Sequence, residues 1–286
     1  MMGRLNNIKN NSTNAAKSAQ LDLLKELKKI CKENDLQYFL QYGTLIGAVR
    51  HNGFIPWDDD IDVGMLREDY EKFRECCKKQ LNNNFYLADY RDTENYPHVY
   101  GKLKIKNTKY VETLSKNSTM GNEIFIDIFP YDNAPDSKFM RRARNIKYKI
   151  YKRVLELKCG FGLANTFKRK IKYFPIIVLS KLLTTKHCIN VFDKGLSKYN
   201  NKETKYVANC GSPAAYKDEV LPKEYISKVK LHKYEDSEFS IPVEYDKLLR
   251  IFYGDYMQLP PIEERVGKHK IIEMDLGNYK PKSKVK

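Results

Sequence analysis

The 286-residue chain is short of acid, of paired cysteines and of long apolar runs. Its six cysteines, at 31, 76, 77, 159, 188 and 210, contain no Cys-x-x-Cys. Cys76 and Cys77 are adjacent within a helical pattern, which suits neither a zinc site nor a disulfide framework, so a reducing compartment is expected. No stretch reaches the ~18 apolar residues that a spanning helix needs. The N-terminal MMGRLNNIKNNSTNAAKSAQ lacks the apolar core of a secretory signal. Together these features predict a cytoplasmic protein. Acidic residues number 36 against 52 Lys and Arg, a net charge of +16. Such a field attracts nucleic acid, nucleotides or an anionic membrane, unless it reflects only a compositional bias of the genome. No RNA-recognition, KH or Cys/His module accompanies it, which argues against a nucleic-acid partner.

Hydrophobic residues make up 42% of the chain, enough for a sizeable core, and the 21 tyrosines outnumber the 13 phenylalanines. Tyrosine's apolar body and polar tip suit half-buried positions and contacts with sugars or bases. Residues 1–11 read as a loose arm, and a helix is expected from Ser12 or Thr13. Leu21, Leu24, Leu27, Ile30 and Cys31 share one helical stripe. Tyr38 to Leu40 reads as a short strand, LIGAVRHNG as a short helix, Ile61 to Val63 as a strand and 67–81 as a helix with Tyr70, Phe73, Cys77 and Leu81 inward. Strands follow at 85–88, 99–105 and 110–113. A strongly apolar strand at 124–129 is stopped by Pro130. From Lys138 to Lys181 there are 14 Lys or Arg and one acid, Glu156, in mostly helical text. This order predicts an α/β or α+β catalytic core with a basic helical region packed back on it. The expected divisions are an arm at 1–19, a core at 20–135, the basic helices at 136–204, a completing segment at 205–270 and a fraying lysine-rich tail at 271–286.

The segment Gln41–Met65, QYGTLIGAVRHNGFIPWDDDIDVGM, carries the chemistry. Asp60 and Asp62 are two residues apart, so on a strand both carboxylates face one side. Two such charges repel unless a cation sits between them, and carboxylates with substrate phosphates are what Mg²⁺ binds. Alone, Asp-x-Asp is common, and a solvated acidic turn is the alternative. Asp127, inside Ile-Phe-Ile-Asp-Ile-Phe, needs a partner to offset its burial. A neighbouring strand would make it the third member of a carboxylate cluster that activates an attacking hydroxyl. Backbone amides bound to Asp127 are the alternative. Gly43 permits close backbone approach to a phosphate, and Thr44 adds a hydroxyl. Arg50 could neutralise phosphate oxygens. His51 either contacts substrate or packs near Trp57.

A Gly-Thr turn, then Asp-x-Asp, then a later strand carboxylate resembles the nucleotidyltransferase superfamily. More closely, YGTLIGAVRHNGFIPWDDDIDVGM resembles the signature block of the LicD family, the phosphocholine transferases of bacterial surface glycans, to which fukutin and fukutin-related protein are related. The likeness continues in FIDIFPYD at 125–132, VLPKEYI at 220–226 and IPVEYDKLLRIFYGDYMQLPP at 241–261. It spans about residues 20 to 270 and is least marked in the basic middle. One departure is Tyr234-Glu235-Asp236, where the family usually has an aromatic-Glu-Gly turn.

The resemblance implies a nucleotidyltransferase-like fold and an enzyme that passes a phosphoalcohol from a CDP-alcohol to a glycan hydroxyl, releasing CMP. The favoured donor is CDP-choline, with CDP-ribitol or CDP-glycerol as alternatives. The acceptor is a glycan or lipid-linked glycan, such as a precursor of teichoic acid, capsule or lipopolysaccharide. Mg²⁺ or Mn²⁺ would sit on Asp60 and Asp62, with Asp127 as a third ligand or at the attacking hydroxyl. Arg50 and Lys102 or Lys104 would hold phosphate oxygens. Tyr131 and Asp132 would shape the acceptor side, and Tyr253-Gly254-Asp255-Tyr256 would form a site edge or a packing loop. A choline head would seek aromatic faces such as Trp57, Tyr42, Tyr131 or Tyr253. No stable protein partner is expected. A peripheral position on the inner membrane face is expected through the basic stretch, with the apolar run 173–183 either dipping into the interface or buried as core. Other readings are an RNA or small-molecule nucleotidyltransferase and a degenerate binding protein.

Overall fold

The computed structural model describes residues 2–94, 96–118, 120–161, 166–209, 211, 220–267 and 269–285. Cys210 lies outside them. The first helix, α1 (Met2–Glu33), runs far beyond the expected start at Ser12 or Thr13. Its residues Ala16 to Leu24 are buried, including Lys17, Gln20 and Asp22. The span 16–19, expected in an arm, is therefore packed helix. The anticipated stripe Leu21, Leu24, Leu27, Ile30 and Cys31 is wholly inward.

The chain continues through β1 (Phe39–Leu40), α2 (Tyr42–Ile46, extended by a π-helical turn to His51), β2 (Asp62–Leu66) and α3 (Arg67–Gln80). Then come β3 (Phe85–Ala88), β4 (Gly101–Ile105), β5 (Lys109–Glu112) and β6 (Phe125–Ala134). Gly43 and Thr44, expected as a turn, lie inside α2. Four strands flank or pair with β6 in the order β1-β2-β6-β4-β3. The β2–β6 pair is parallel and the other pairs along this path are antiparallel. A mixed α/β core sheet flanked by helices results. α1 and α3 pack on one face, and the main core gathers Leu27, Phe39, Val63, Phe73, Leu103 and Ile126 beneath them.

β6 does not stop at Pro130. Pro130 falls between the last β4 pair, Gly101–Ile128, and the first pair with β7 (Tyr206–Asn209), Tyr131–Asn209. A missing N–H costs least at such a gap between partners. The strand therefore pairs with β2 and β4 first and with β7 afterwards.

The basic region forms α4 (Lys138–Lys158), α5 (Phe167–Lys172), α6 (Phe174–Leu182) and α7 (Thr185–Leu196). Tyr148, Val154 and Leu155 of α4 join Phe192 and Leu196 of α7 over Ala88, Ala134 and Ala208 of the sheet in a second core. This region packs back as expected. The C-terminal part adds β8 (Val220–Pro222), the hairpin β9 (Val229–Tyr234) and β10 (Ser237–Pro242), α8 (Tyr245–Tyr253) and β11 (Ile271–Asp275).

The tail, expected to fray, is tied down. β11 pairs antiparallel with β5, and the Asp22 carboxylate accepts hydrogen bonds from the Tyr279 hydroxyl and the N–H groups of Lys282 and Ser283. Lysine-rich composition did not reveal that a buried aspartate some 260 residues away needed those donors.

Candidate active site

β2 and β6 run side by side in a register that pairs Asp62 with Asp127, and β4 places Lys102 across from Asp127 on the other side. Three charged residues thus form one row across the sheet. Lys102 Nζ donates to Asp127 Oδ1 at 2.6 Å and lies 3.3 Å from the Phe125 ring centre. Asp127 is therefore held by an ammonium rather than by backbone amides alone. Its burial pushes its carboxyl up to about 6, against the opposing pull of Lys102. Burial raises Asp62 well above the usual carboxylate range, and the charges of Asp60, Asp127 and Asp58 add to it.

Thr44 serves the site through its neighbour: the Asp62 N–H donates to Thr44 Oγ1 at 2.9 Å. Gly43 permits a close approach, though to a carboxylate. A Cβ at residue 43 would fall 2.4 Å from Asp58 Oδ2. Gly267 does the same for Asp59, with its Cβ position 2.6 Å from Oδ2. Both glycines leave room that aspartates fill.

Asp60 lies just ahead of β2. Its Oδ2 is 2.8 Å from His269 Nε2, while His269 Nδ1 is 3.1 Å from Glu112 Oε1 on β5. The His269 N–H donates to Asp59 Oδ2. Burial works against charge on His269, but the contacts and charges of Asp60 and Glu112 outweigh it and push the imidazole up to about 12. The Asp59 carbonyl accepts from Gln20 Nε2 and the Tyr110 hydroxyl, which anchors the aspartate run from behind.

Among the described residues, Asp59, Asp60 and His269 form a three-member group whose ligating atoms lie within 4.8 Å of one another, a candidate metal-binding cluster. Its two carboxylates suit a hard divalent cation, and His269, held charged against Asp60 and Glu112, must give up a proton to join them as a ligand. Asp59 and Asp62 are both raised, first by burial and then by neighbouring carboxylates, and a cation between them would offset both effects. The anticipated ligands Asp62 and Asp127 stand beside this cluster. His269 and Glu112 were not anticipated: the histidine sits just ahead of the lysine-rich tail and the glutamate in an ordinary strand.

Other expected residues separate. Arg50 donates to the Tyr256 and Gln258 carbonyls and to His51 Nε2. His51 packs edge-on to Trp57, with centroids 6.3 Å apart. Arg50, Trp57 and Asp58 line a cleft of about 760 Å³ with Tyr253, Asp255 and Tyr256. The Arg265 guanidinium lies 5.5 Å from the Trp57 ring centre.

Three expected residues are committed to scaffolding. Lys104 donates to the Met120 and Gly121 carbonyls and to Glu123. Tyr131 is buried against Phe39. Asp132 accepts two hydrogen bonds from Arg67, at 2.8 and 2.7 Å, and a third from Asn200. The turn Tyr234-Glu235-Asp236 has a structural role as well. Glu235 takes φ 56° in the two-residue turn of the β9–β10 hairpin, and its carboxylate accepts the Phe54 N–H. It braces the loop that leads into Asp58.

The site is matched by the model for "LicD/FKTN/FKRP, nucleotidyltransferase domain" over residues 35–156, which include Asp60, Asp62, Lys102, Glu112 and Asp127. The chain is 31% identical over 259 residues to the lipopolysaccharide cholinephosphotransferase LicD of Haemophilus influenzae, covering 87% of this chain and 92% of that protein. It belongs to the LicD family. The mouse ribitol 5-phosphate transferase FKRP is 27% identical over 154 residues, 45% of this chain and 28% of its own length. At that coverage the LicD likeness reaches past the nucleotidyltransferase model, through the basic helices and into the C-terminal part. Among the described residues, no helix of this LicD-family chain is long and apolar enough to cross a membrane.

Proposed function

We propose that this protein is a metal-dependent phosphocholine transferase that moves phosphocholine from CDP-choline to a hydroxyl of a cell-surface glycan precursor and releases CMP. The observation that carries the chemistry is the Asp62–Asp127–Lys102 row beside Asp60. The choice of choline rests on the likeness to the Haemophilus enzyme over most of both chains.

A divalent cation, Mg²⁺ or Mn²⁺, held by Asp60 and Asp62, with Asp59 and His269 at hand, would neutralise the donor diphosphate. Asp127 accepts the proton of the acceptor hydroxyl. The hydroxyl oxygen bonds to the choline-bearing phosphorus, the bridging P–O bond breaks, and the electron pair leaves with CMP. A carboxyl near 6 is ionised at neutral pH yet more basic than a surface aspartate, which suits a general base. Lys102 holds that carboxylate in place and ionised. The cleft at Arg50, Trp57 and Tyr253 receives the donor, and its aromatic faces favour a quaternary ammonium.

The test is CMP release from CDP-choline, CDP-ribitol and CDP-glycerol side by side, with Mg²⁺ and a crude glycan acceptor. A preference for CDP-choline is expected. Preference for ribitol or glycerol would replace the donor and keep the mechanism, and release from none would overturn the transferase reading.

A further inference from the structure

Helices α5 and α6 follow one another directly through Tyr173, whose N–H donates to the Arg169 carbonyl and whose carbonyl accepts the Ile177 N–H. Tyr173 leaves helical geometry, with ψ 8°, and Pro175 has no N–H to carry the ladder across, so the two helices are distinct. Phe167 and Ile171 are four apart on α5, and Phe174, Val178 and Leu182 recur every four residues on one face of α6. These side chains are open: Phe167 is 79% exposed, Ile171 63%, Phe174 64% and Leu182 73%. The opposite face of α6 already has its partner, since Ile176 and Leu179 pack on the second core. Lys158 on α4 donates to the Ser180 carbonyl and fixes α6 from the same side. The outward apolar stripe is therefore surplus to the fold, and a stripe of large exposed side chains marks an interaction surface.

Charge decides the partner. Lys168, Lys170, Lys172 and Lys181 are exposed beside the stripe, and neither helix carries an acidic residue. From Lys138 to Lys181 the one acidic residue is Glu156, which is paired with Arg153. A second copy would bring the same positive field against itself. α4 extends the pattern with Phe139 and Ile146, both exposed, among Lys138, Arg142, Lys147 and Lys149. Aromatic and aliphatic side chains in a ring of lysines match the boundary of an anionic bilayer, where apolar groups enter the acyl edge and ammonium groups meet headgroup phosphates. The six residues of α5 and the nine of α6 span roughly 9 and 14 Å at 1.5 Å per residue, too short for either to cross a bilayer. An open groove of about 810 Å³ at Ile171, Phe174, Pro175 and Ile177 adds room for lipid.

We propose that helices α5 and α6 are a membrane-docking surface that inserts Phe167, Ile171, Phe174, Val178 and Leu182 into the interface of an anionic bilayer. It stands apart from the carboxylate site and does not depend on which donor the protein uses.

The experiment is co-sedimentation of the full chain with vesicles of phosphatidylcholine, with and without phosphatidylglycerol. Binding is expected only with the anionic lipid. The double variant Phe167→Ser/Phe174→Ser keeps every charge and should partition at least ~10-fold more weakly, since each ring contributes apolar burial. Partitioning of that variant within about twofold of the parent would mean that charge alone holds the protein, and would overturn insertion. Because the double variant must stay folded, its thermal melt is compared with the parent. Phe174→Trp gives an independent readout: its added emission should be quenched by lipids brominated on the acyl chains. Absence of quenching, or self-association abolished by the double variant without any lipid binding, would overturn the proposal.

Discussion

His269 Nε2 lies 2.8 Å from Asp60 Oδ2, although one residue sits just ahead of the C-terminal tail and the other beside the second strand. The same imidazole reaches Glu112, and the His269 backbone N–H donates to Asp59. The segment leading into the tail thus closes the candidate metal cluster. His269→Ala should weaken Mn²⁺ binding by about 10–100-fold. Calorimetric titration of the metal into parent and variant checks this, and equal affinities would remove His269 from the metal site.

Asp127→Asn preserves shape and removes the proton acceptor. Turnover should fall by about 10²–10⁴-fold, while CDP and metal binding stay close to the parent. Full turnover would exclude Asp127 as the base.

Lys102 opposes the effect of burial on Asp127. Lys102→Met removes that opposition, so the carboxyl should hold its proton to higher pH than about 6. The acidic limb of the kcat–pH profile should therefore move to higher pH, with the loss of rate greatest below neutrality. A profile that keeps its midpoint while dropping in height would show that Lys102 acts on the substrate instead.

Arg67 and Asp132 form a buried bidentate pair with side chains 12% and 3% exposed. Asp132→Asn leaves a buried guanidinium short of charge, and should destabilise the fold by about 3–5 kcal/mol. Activity per folded molecule should survive. Chemical denaturation read beside single-turnover rates separates the two, and a lost rate with unchanged stability would return Asp132 to the acceptor side.

Asp89 contributes to acid stability. Burial alone would raise its carboxyl, but Arg91 and the Tyr70 hydroxyl outweigh it and hold it below the usual range. A carboxyl lower in the folded than in the unfolded chain contributes stability that is present above about pH 4 and lost as pH falls through the folded value. Asp89→Asn should lower Tm at neutral pH and flatten its acid decline. An unchanged slope would locate acid sensitivity elsewhere.

Much of the local structure was legible in the residues. The strand at 85–88 and the helix from Arg67 follow from apolar periodicity, which depends on near neighbours alone. Asp60, Asp62 and Asp127 announced themselves because charge inside apolar text needs a reason, and the long block from Tyr42 to Met65 carried the family resemblance. What periodicity misjudged were ends: Pro130 reads as a stop, yet β6 passes through it, paired with Met65 of β2 on one side and facing the gap between β4 and β7 on the other.

Strand register decided the rest. Lys102 and Lys104 are alike in sequence and both point inward, but pairing of β4 with β6 sets only Lys102 opposite Asp127, and Lys104 is consumed by the 120–123 loop. Tyr131 and Asp132 directly follow the catalytic strand's core and still belong to the scaffold, because Phe39 and Arg67 reach them first. Glu112 and His269 carry no local mark at all. They join Asp60 because β11 pairs with β5 and brings the tail against the aspartate run. A carboxylate's need for a partner can be read from one segment of chain; which partner answers is settled by contacts between segments far apart, where hydrogen-bond register and burial act together.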